Sequence, residues 1–376
     1  LLDLLVLPIG LGVSVVDEYA LDTRLFEFLE FFHGWISVSP RVKFSFSGSL
    51  ALGVWVESAK LASERAALRV GGLVRTNADF QAAIEYRHVL LLPDGRGLRA
   101  RAYIDHDKNR RYYGIGGDSA VADQRVIRAI SSGATVDVDL QGIDRYTYSG
   151  VAGLGFIRQR FTPGIDTTIP ALAANDTIPL PPGFDVTALY VTGSLSGRYD
   201  TRDSNGRPVR GAYAEISAVA REEITGKQLS AITASATITK LLPLIAEHRT
   251  ILVTLGGAAS IPLGAGDTIP LDALPEISRL NNRGYDSDRF RDRYAVVGSV
   301  EYRFPVYDYL ASRAGLDAFV FVDTGTLWGT NKLTDSRIRY SVGTGLRAAS
   351  QNDLMFSMTL AGSPDGIQFA VGVEGQ

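Results

Sequence analysis

The sequence predicts an all-β protein: a closed antiparallel transmembrane β-barrel of about 16 strands, with a short N-terminal amphipathic helix and one long loop folded into the lumen. Three observations carry the prediction. Apolar and polar residues alternate with period two along most of the chain. No stretch is long and apolar enough for a membrane-spanning helix. The long connections all fall on one side of the strand ladder.

The chain has 376 residues, is 45% hydrophobic and 21% charged, and carries a net charge of −3. That balance excludes a disordered chain and gives no electrostatic reason to expect nucleic acid. Cysteine is absent, which removes disulfides and thiolate chemistry. The 39 glycines, with 16 Tyr and 16 Phe, suit many turns between strands. The longest uncharged runs are Leu4–Val16 and Thr250–Gly266. The first is too short to cross a bilayer as a helix, and Gly256, Gly257, Ser260 and Pro262 interrupt the second. A strand needs only about 9–11 residues to cross, so a membrane barrel passes such a search unseen. No signal peptide is visible and the first residue is not Met, so the native start is expected upstream.

Two regions are expected, an extension over 1–35 and a barrel over 36–376. In the extension Asp17 can cap a helix in which Leu21, Leu25, Phe28, Leu29 and Phe32 recur at helical spacing, with Gly34 as a stop. Glu18, Asp22, Glu27 and Glu30 make the rest of it acidic, which opposes strong attraction to anionic lipid. It could lie on a membrane surface, cap one end of the barrel, or simply pack.

From Trp35 the period becomes two. Val42, Phe44 and Phe46 alternate with Lys43, Ser45 and Ser47; Ile232, Ala234, Ala236 and Ile238 with Thr233, Ser235, Thr237 and Thr239; Val300, Tyr302 and Phe304 with Ser299, Glu301 and Arg303. Alternation puts one face of a strand in an apolar medium and the other in a polar one. The segments so marked are 36–46, 49–57, 64–75, 79–91, 97–107, 125–140, 143–158, 185–199, 210–223, 229–240, 248–261, 293–304, 314–324, 338–348, 353–361 and 366–376. With the first hairpin loop placed outside, the long loops Asp107–Gln124, Arg160–Phe184 and Pro262–Asp292 share that side, as in outer-membrane barrels, and the other side has no long loop. Soluble β-sandwiches would also alternate. Two features favour the barrel. Its polar face is rich in Thr, Ser, Asp and Arg, which suits a wet lumen. Trp35, Tyr112, Tyr113, Tyr302, Tyr307, Tyr309 and Trp328 sit at strand ends, where interfacial girdles form.

Two charged residues need explaining, Arg283 on a loop and Asp323 inside an apolar strand. Parity places Asp317, Phe321 and Asp323 on the lumenal face and Val320 and Val322 toward lipid. Pro262–Asp292 is long for a structureless loop and could fold back into the lumen. Arg283 would then be a natural partner for Asp323, because a guanidinium can hold a carboxylate with two parallel hydrogen bonds. Gly284 allows a sharp turn and Tyr285 could stack on the wall. Glu301, lumenal by parity on the preceding strand, is a second acceptor. The residues alone leave open whether Arg283 instead stays in an exposed loop.

Enzyme chemistry finds no footing. Of His33, His88, His106 and His248, only His106 is flanked by acids (Asp105, Asp107), a pattern more typical of a solvated turn than of a metal site. Gly114–Gly117 lacks the Lys and helix of a phosphate cradle. No catalytic residue, metal or cofactor is expected.

Four patches resemble the BamA/TamA superfamily of outer-membrane β-barrels. Arg283-Gly284-Tyr285 is similar to its Val-Arg-Gly-Phe/Tyr loop motif, with Asn282 where Val is usual. Arg289–Tyr294 with Glu301–Pro305, then Val320–Gly325 with Trp328, resemble the two strands after that loop. Tyr199–Gly211 is similar to an Asp-rich turn ending in Pro and Gly, Tyr112–Ser119 to a loop of the superfamily, and Gly343–Arg347 to its antepenultimate strand. The resemblance implies the Arg283–Asp323 contact. It also implies an outer-membrane protein, not an enzyme, that helps fold or insert other barrel proteins or moves polypeptides. A weak seam between first and last strands would offer an edge to a client strand. Here the seam would join 36–46 to 366–376, with Val42, Phe44, Phe369, Val371 and Gly372 along it, and Gly366, Gly372 and Gly375 weakening the last strand. Expected partners are outer-membrane lipids, client barrel proteins or accessory envelope proteins. Two features depart from the family: the 35 residues before the first strand cannot hold a POTRA module, and Gln376 stands where an aromatic usually ends the chain. The other reading is a passive structural barrel, or a plugged channel.

Overall fold

The computed structural model describes residues 30–31, 36–45, 51–59, 66–75, 79–88, 97–140, 148–166, 169–173, 176, 178–204, 206–245, 249–309, 314–330, 333, 336–349 and 354–373. Among them, one sheet holds 17 strands, of which Glu30–Phe31 is only two residues long. The others are β1 (Ile36–Ser45), β2 (Ala51–Ala59), β3 (Ala66–Arg75), β4 (Phe80–His88), β5 (Leu98–Tyr112), β6 (Arg125–Leu140), β7 (Tyr148–Pro163), β8 (Thr187–Asp200), β9 (Gly211–Glu223), β10 (Ala231–Pro243), β11 (Thr250–Pro262), β12 (Tyr294–Tyr309), β13 (Ala314–Trp328), β14 (Arg339–Ala349), β15 (Leu354–Ser363) and β16 (Gly366–Val373). Each pairs antiparallel with its neighbours in sequence.

The described residues of the first and last long strands meet at one point. β16 pairs with β1 over Ala370–Ser45, Val371–Phe44 and Gly372–Lys43. The neighbouring β1–β2 pairing runs from Ile36–Ser58 to Lys43–Ala51. Among the described residues the junction between β16 and β1 thus comprises three residue pairs, and a fully closed ring is not established by them. Val42 and Phe369, expected along the seam, flank these pairs and are registered on their other sides to Leu52 of β2 and Leu360 of β15. The strands flanking this point are short, 8 residues in β16 and 10 in β1, against 16 in β6 and β7.

The alternation read from the sequence has a physical counterpart in β13. Val320 and Val322 are 46% and 53% exposed, while Phe319, Phe321 and Asp323 on the other face are 1%, 3% and 0%. The same outward apolar series appears at Leu52, Val54 and Val56 of β2 and at Leu154 and Phe156 of β7. So much exposed aliphatic surface is what a lipid-facing wall presents. The inward face is polar and charged, with Thr250, Ser299, Glu301, Arg303, Asp317 and Asp323 all buried.

Some expectations need correction. The helix expected over Glu18–Phe32 lies outside the described residues, except that Glu30 and Phe31 form the small strand, paired with Ser37 and Ile36. Trp35 and Gly375 also lie outside them. The first long loop starts later than Asp107: β5 continues to Tyr112 through an irregularity between Asp107 and Arg110. Tyr112 and Tyr113 are not girdle residues. Both are buried beneath the loops, where the Tyr112 hydroxyl donates to the carbonyl of Pro179 at 2.7 Å and Arg289 lies over the Tyr113 ring. At the same end Ile127, Phe161, Leu172, Ile178, Leu271 and Leu274 pack with Tyr112 into an apolar cap.

Candidate functional site: a loop held within the sheet

Residues 263–293 connect β11 to β12. The connection folds onto the polar face of the sheet, where Ile277, Tyr285 and Phe290 bury themselves with Ala295, Val297 and Leu327. Apolar anchors thus fix its path, and the Arg283 region arrives between β12, β13 and β14.

Register prepares the seat. Ser299 of β12 stands opposite Asp323, and Asp323 opposite Ser341 of β14. Asp323 accepts the Arg283 backbone N–H at 3.0 Å, Arg283 Nε at 3.0 Å, Nη2 at 2.9 Å and the Ser299 hydroxyl at 2.6 Å. Arg283 Nη1 donates to Glu301 at 2.6 Å and Nη2 to Ser299 Oγ at 3.2 Å. Its guanidinium also lies over the Phe321 ring, 3.4 Å from the centroid. The ring has space there because β14 offers no side chain: a Cβ on Gly343 would fall 2.4 Å from Phe321 Cζ. Burial by itself would lower the Arg283 pKa; the hydrogen bond and charge of Asp323, then Glu301, outweigh it and hold the pKa above its ordinary value.

The flanking residues fix the backbone. Asn282 is fully buried, donates to the carbonyl of Arg339 at 3.2 Å and accepts from Ser341 Oγ at 2.9 Å. That polar pair is one reason a polar residue suits the position where Val was expected. Gly284 passes so close to β14 that a Cβ would fall 2.2 Å from Ser341 Cβ. Tyr285 meets Phe290 edge to face at 5.3 Å and donates to the carbonyl of Tyr340 at 3.1 Å. Arg283, Gly284, Tyr285, Asp323 and Glu301 are thus brought together. Of the seam residues, Phe44, Val371 and Gly372 share the three-pair junction.

Further arginines tie the loop down. Arg110, at the end of β5, pairs with Asp272 at 2.6 Å and with Asp288 at 2.9 Å. Arg289 reaches Asp365 at 2.7 Å and the hydroxyl and carbonyl of Ser119 at 2.7 and 2.9 Å. Arg291 is buried against Glu276 at 2.7 Å; burial lowers its pKa to about 9 against the pull of that carboxylate. A fourth, Arg207, comes from the connection between β8 and β9 and grips Asp317 of β13 through Nε at 2.9 Å. Parity marked Asp317 as lumenal, but its partner stands 110 residues earlier, out of reach of any local pattern. Beside them, Phe80 meets the His106 ring at 5.4 Å and Asp107 accepts the backbone N–H of Asn109 at 3.2 Å.

Residues 173–356 match the Omp85 superfamily domain. Over that stretch, just under half of the chain, the protein carries an Omp85 superfamily domain, the superfamily of BamA-type barrels that the motifs resembled. Its fold is similar to that of BamA from Haemophilus ducreyi lacking POTRA domains 1–3, with a TM-score of 0.66, 15% identity, and coverage of 90% of this chain and 70% of that one. It is also similar to CdiB from Escherichia coli, with a TM-score of 0.53, 12% identity, and coverage of 91% and 63%. CdiB from Acinetobacter baumannii gives a TM-score of 0.50 at 13% identity, covering 90% and 60%. The chain thus spans less than two thirds of either CdiB. At these identities the likeness is one of fold. No curated protein matches the sequence.

Proposed function

We propose that this chain is a closed barrel of the bacterial outer membrane that, without catalysing a covalent step, assists insertion of other barrel proteins or passage of polypeptides. The observation that carries this reading is the junction between β1 and β16, which among the described residues comprises three pairs between strands of 8 and 10 residues. A junction with few ladder bonds is one that a client strand can enter by pairing with an exposed edge. The latch of Arg283 on Asp323 and Glu301 then serves to hold the loop in one place inside the lumen while the seam works. Outer-membrane lipids would surround the apolar wall, and client barrel proteins or accessory envelope proteins would be the partners.

The test is to lock the seam. Phe44 and Val371 stand directly opposite, and the chain has no cysteine of its own. A Phe44→Cys/Val371→Cys variant can therefore form one defined disulfide. In proteoliposomes, the reduced variant should accelerate folding of an outer-membrane barrel client and the oxidised one should not. Equal acceleration by both would remove the seam from the mechanism. No acceleration by the wild-type protein would favour the passive barrel.

A further inference from the structure

The ten-residue connection 201–210 leaves the sheet at the end opposite to loop 263–293. The sequence reading took that side as having short turns only. This turn is instead a built object whose tip points inward. Thr201, Asp203 and Arg210 are exposed at its base, whereas Gly206 and Pro208 are buried. Internal bonds stiffen it. Asp203 accepts the backbone N–H groups of Val209 and Arg210 at 2.9 and 3.2 Å, Ser204 Oγ accepts that of Arg207 at 3.0 Å, and Arg202 grips Asp200 at 2.9 and 2.7 Å.

The tip is anchored on strands well away from its own. Arg207 Nε donates to both carboxylate oxygens of Asp317, at 3.1 and 2.9 Å, and the two side chains are only 9% and 1% exposed. The guanidinium lies against Gly315, where a Cβ would fall 2.3 Å from Arg207 Cζ. Arg303 of β12 donates to the carbonyl of Pro208 at 3.2 Å, and Thr250 of β11 to that of Val209 at 2.8 Å. β13 is four strands on from β9 in the sheet order, roughly 19 Å along the wall at about 4.8 Å per strand. The turn therefore spans a sector of the opening rather than lying along its rim.

Both anchors use one column of β13. Asp323 holds the loop from one end and Asp317 holds the turn from the other, with Phe319 and Phe321 between them. A charged chain joins the two seats: Arg283 bonds Glu301 at 2.6 Å, Arg303 lies 3.7 Å from Glu301, and Arg303 bonds the turn.

We propose that the turn 201–210 is a second plug, positioned by Arg207 on Asp317, and that a path through the lumen opens only when both this turn and loop 263–293 are released. The proposal rests on reading the chain as a membrane barrel. Conductance across planar bilayers tests it with the wild-type protein, Arg283→Ala, Arg207→Ala and the double variant. Insertion is checked beforehand by the shift in gel mobility between unheated and heated samples. Each single variant should stay near the wild-type conductance, because the other plug remains, and the double variant should conduct well above both. A double variant that inserts but stays closed, or a single variant as open as the double, overturns the proposal. Failure of the wild-type protein to insert would instead overturn the barrel reading.

Thiol labelling of Val209→Cys gives a readout that stability alone would not move in this pattern. Arg207→Ala should speed labelling by a water-soluble maleimide about tenfold, Arg207→Lys should restore part of the protection, and Arg283→Ala should leave it near wild type. Gly315→Leu removes no charge but fills the guanidinium's seat, so it should act like Arg207→Ala, and it carries the test if that variant does not fold. Labelling unchanged in Arg207→Ala and Gly315→Leu overturns the proposal.

Discussion

Asp323 is fully buried and accepts four hydrogen bonds, three of them from Arg283. Such a pair need not add much net stability, since desolvation offsets the attraction, but removing one partner strands a buried charge. Arg283→Ala should therefore loosen the loop by about 3–5 kcal/mol, read as earlier proteolysis of 263–293 while circular dichroism still reports an intact sheet. Arg283→Lys should recover only part of it. An ammonium is a compact point charge without the fork that meets Asp323, Glu301 and Ser299 together, and it fits less well over Phe321. Unchanged proteolysis in Arg283→Ala would mean that the apolar anchors suffice. Gly284→Ala tests the same seat by shape, because its Cβ would collide with Ser341.

At the scale of elements, the loop is held by a set of ion pairs whose response to acid can be worked out at Asp272. Burial would raise its carboxyl, but the charges of Arg110 and Arg291 outweigh burial and bring the pKa down to about 2 from an ordinary 3.8. A folded pKa below the unfolded value means that the group's stabilisation is complete above the unfolded pKa and lost as pH falls through the folded one. The loop should thus keep this anchor at pH 5 and shed it between about pH 4 and pH 2, seen as faster hydrogen exchange over 263–293 in that window. Asp272→Asn should flatten that part of the profile. β13 connects these observations, since one face exposes Val320 and Val322 and the other seats Arg207, Arg347, Arg283 and the loop backbone.

For the whole molecule, the outward aliphatic surface is the property on which the proposed bilayer setting rests. Val320→Arg, at the centre of the exposed face of β13, should cost about 2–4 kcal/mol if it sits near the membrane midplane. Urea titration in liposomes would measure this, and a negligible cost would place the wall in water. Leu154→Arg on β7 is the matching control at another point of the wall.

The amino-acid sequence by itself determined the strand ladder, because period-two alternation is a local consequence of a wall with lipid on one side and polar groups on the other. It determined the parity that put Asp317, Phe321 and Asp323 inward, and it marked Arg283 as anomalous. Strand ends were less legible: β5 runs on to Tyr112 and β7 to Pro163, past the ends expected for them and into the cap, where partners rather than propensity extend the ladder. Only the tertiary structure decided how charges pair. Arg283 meets an acid 40 residues later, and Arg207 one 110 residues later, and both contacts exist because the sheet order brings distant strands beside one lumen. It also decided that β1 and β16 meet at Phe44 and Val371, that Tyr112 and Tyr113 serve the cap, and that a ten-residue turn with no unusual length reaches inside. Length and composition report local chain behaviour; which end of the lumen a loop enters depends on where its buried partner stands.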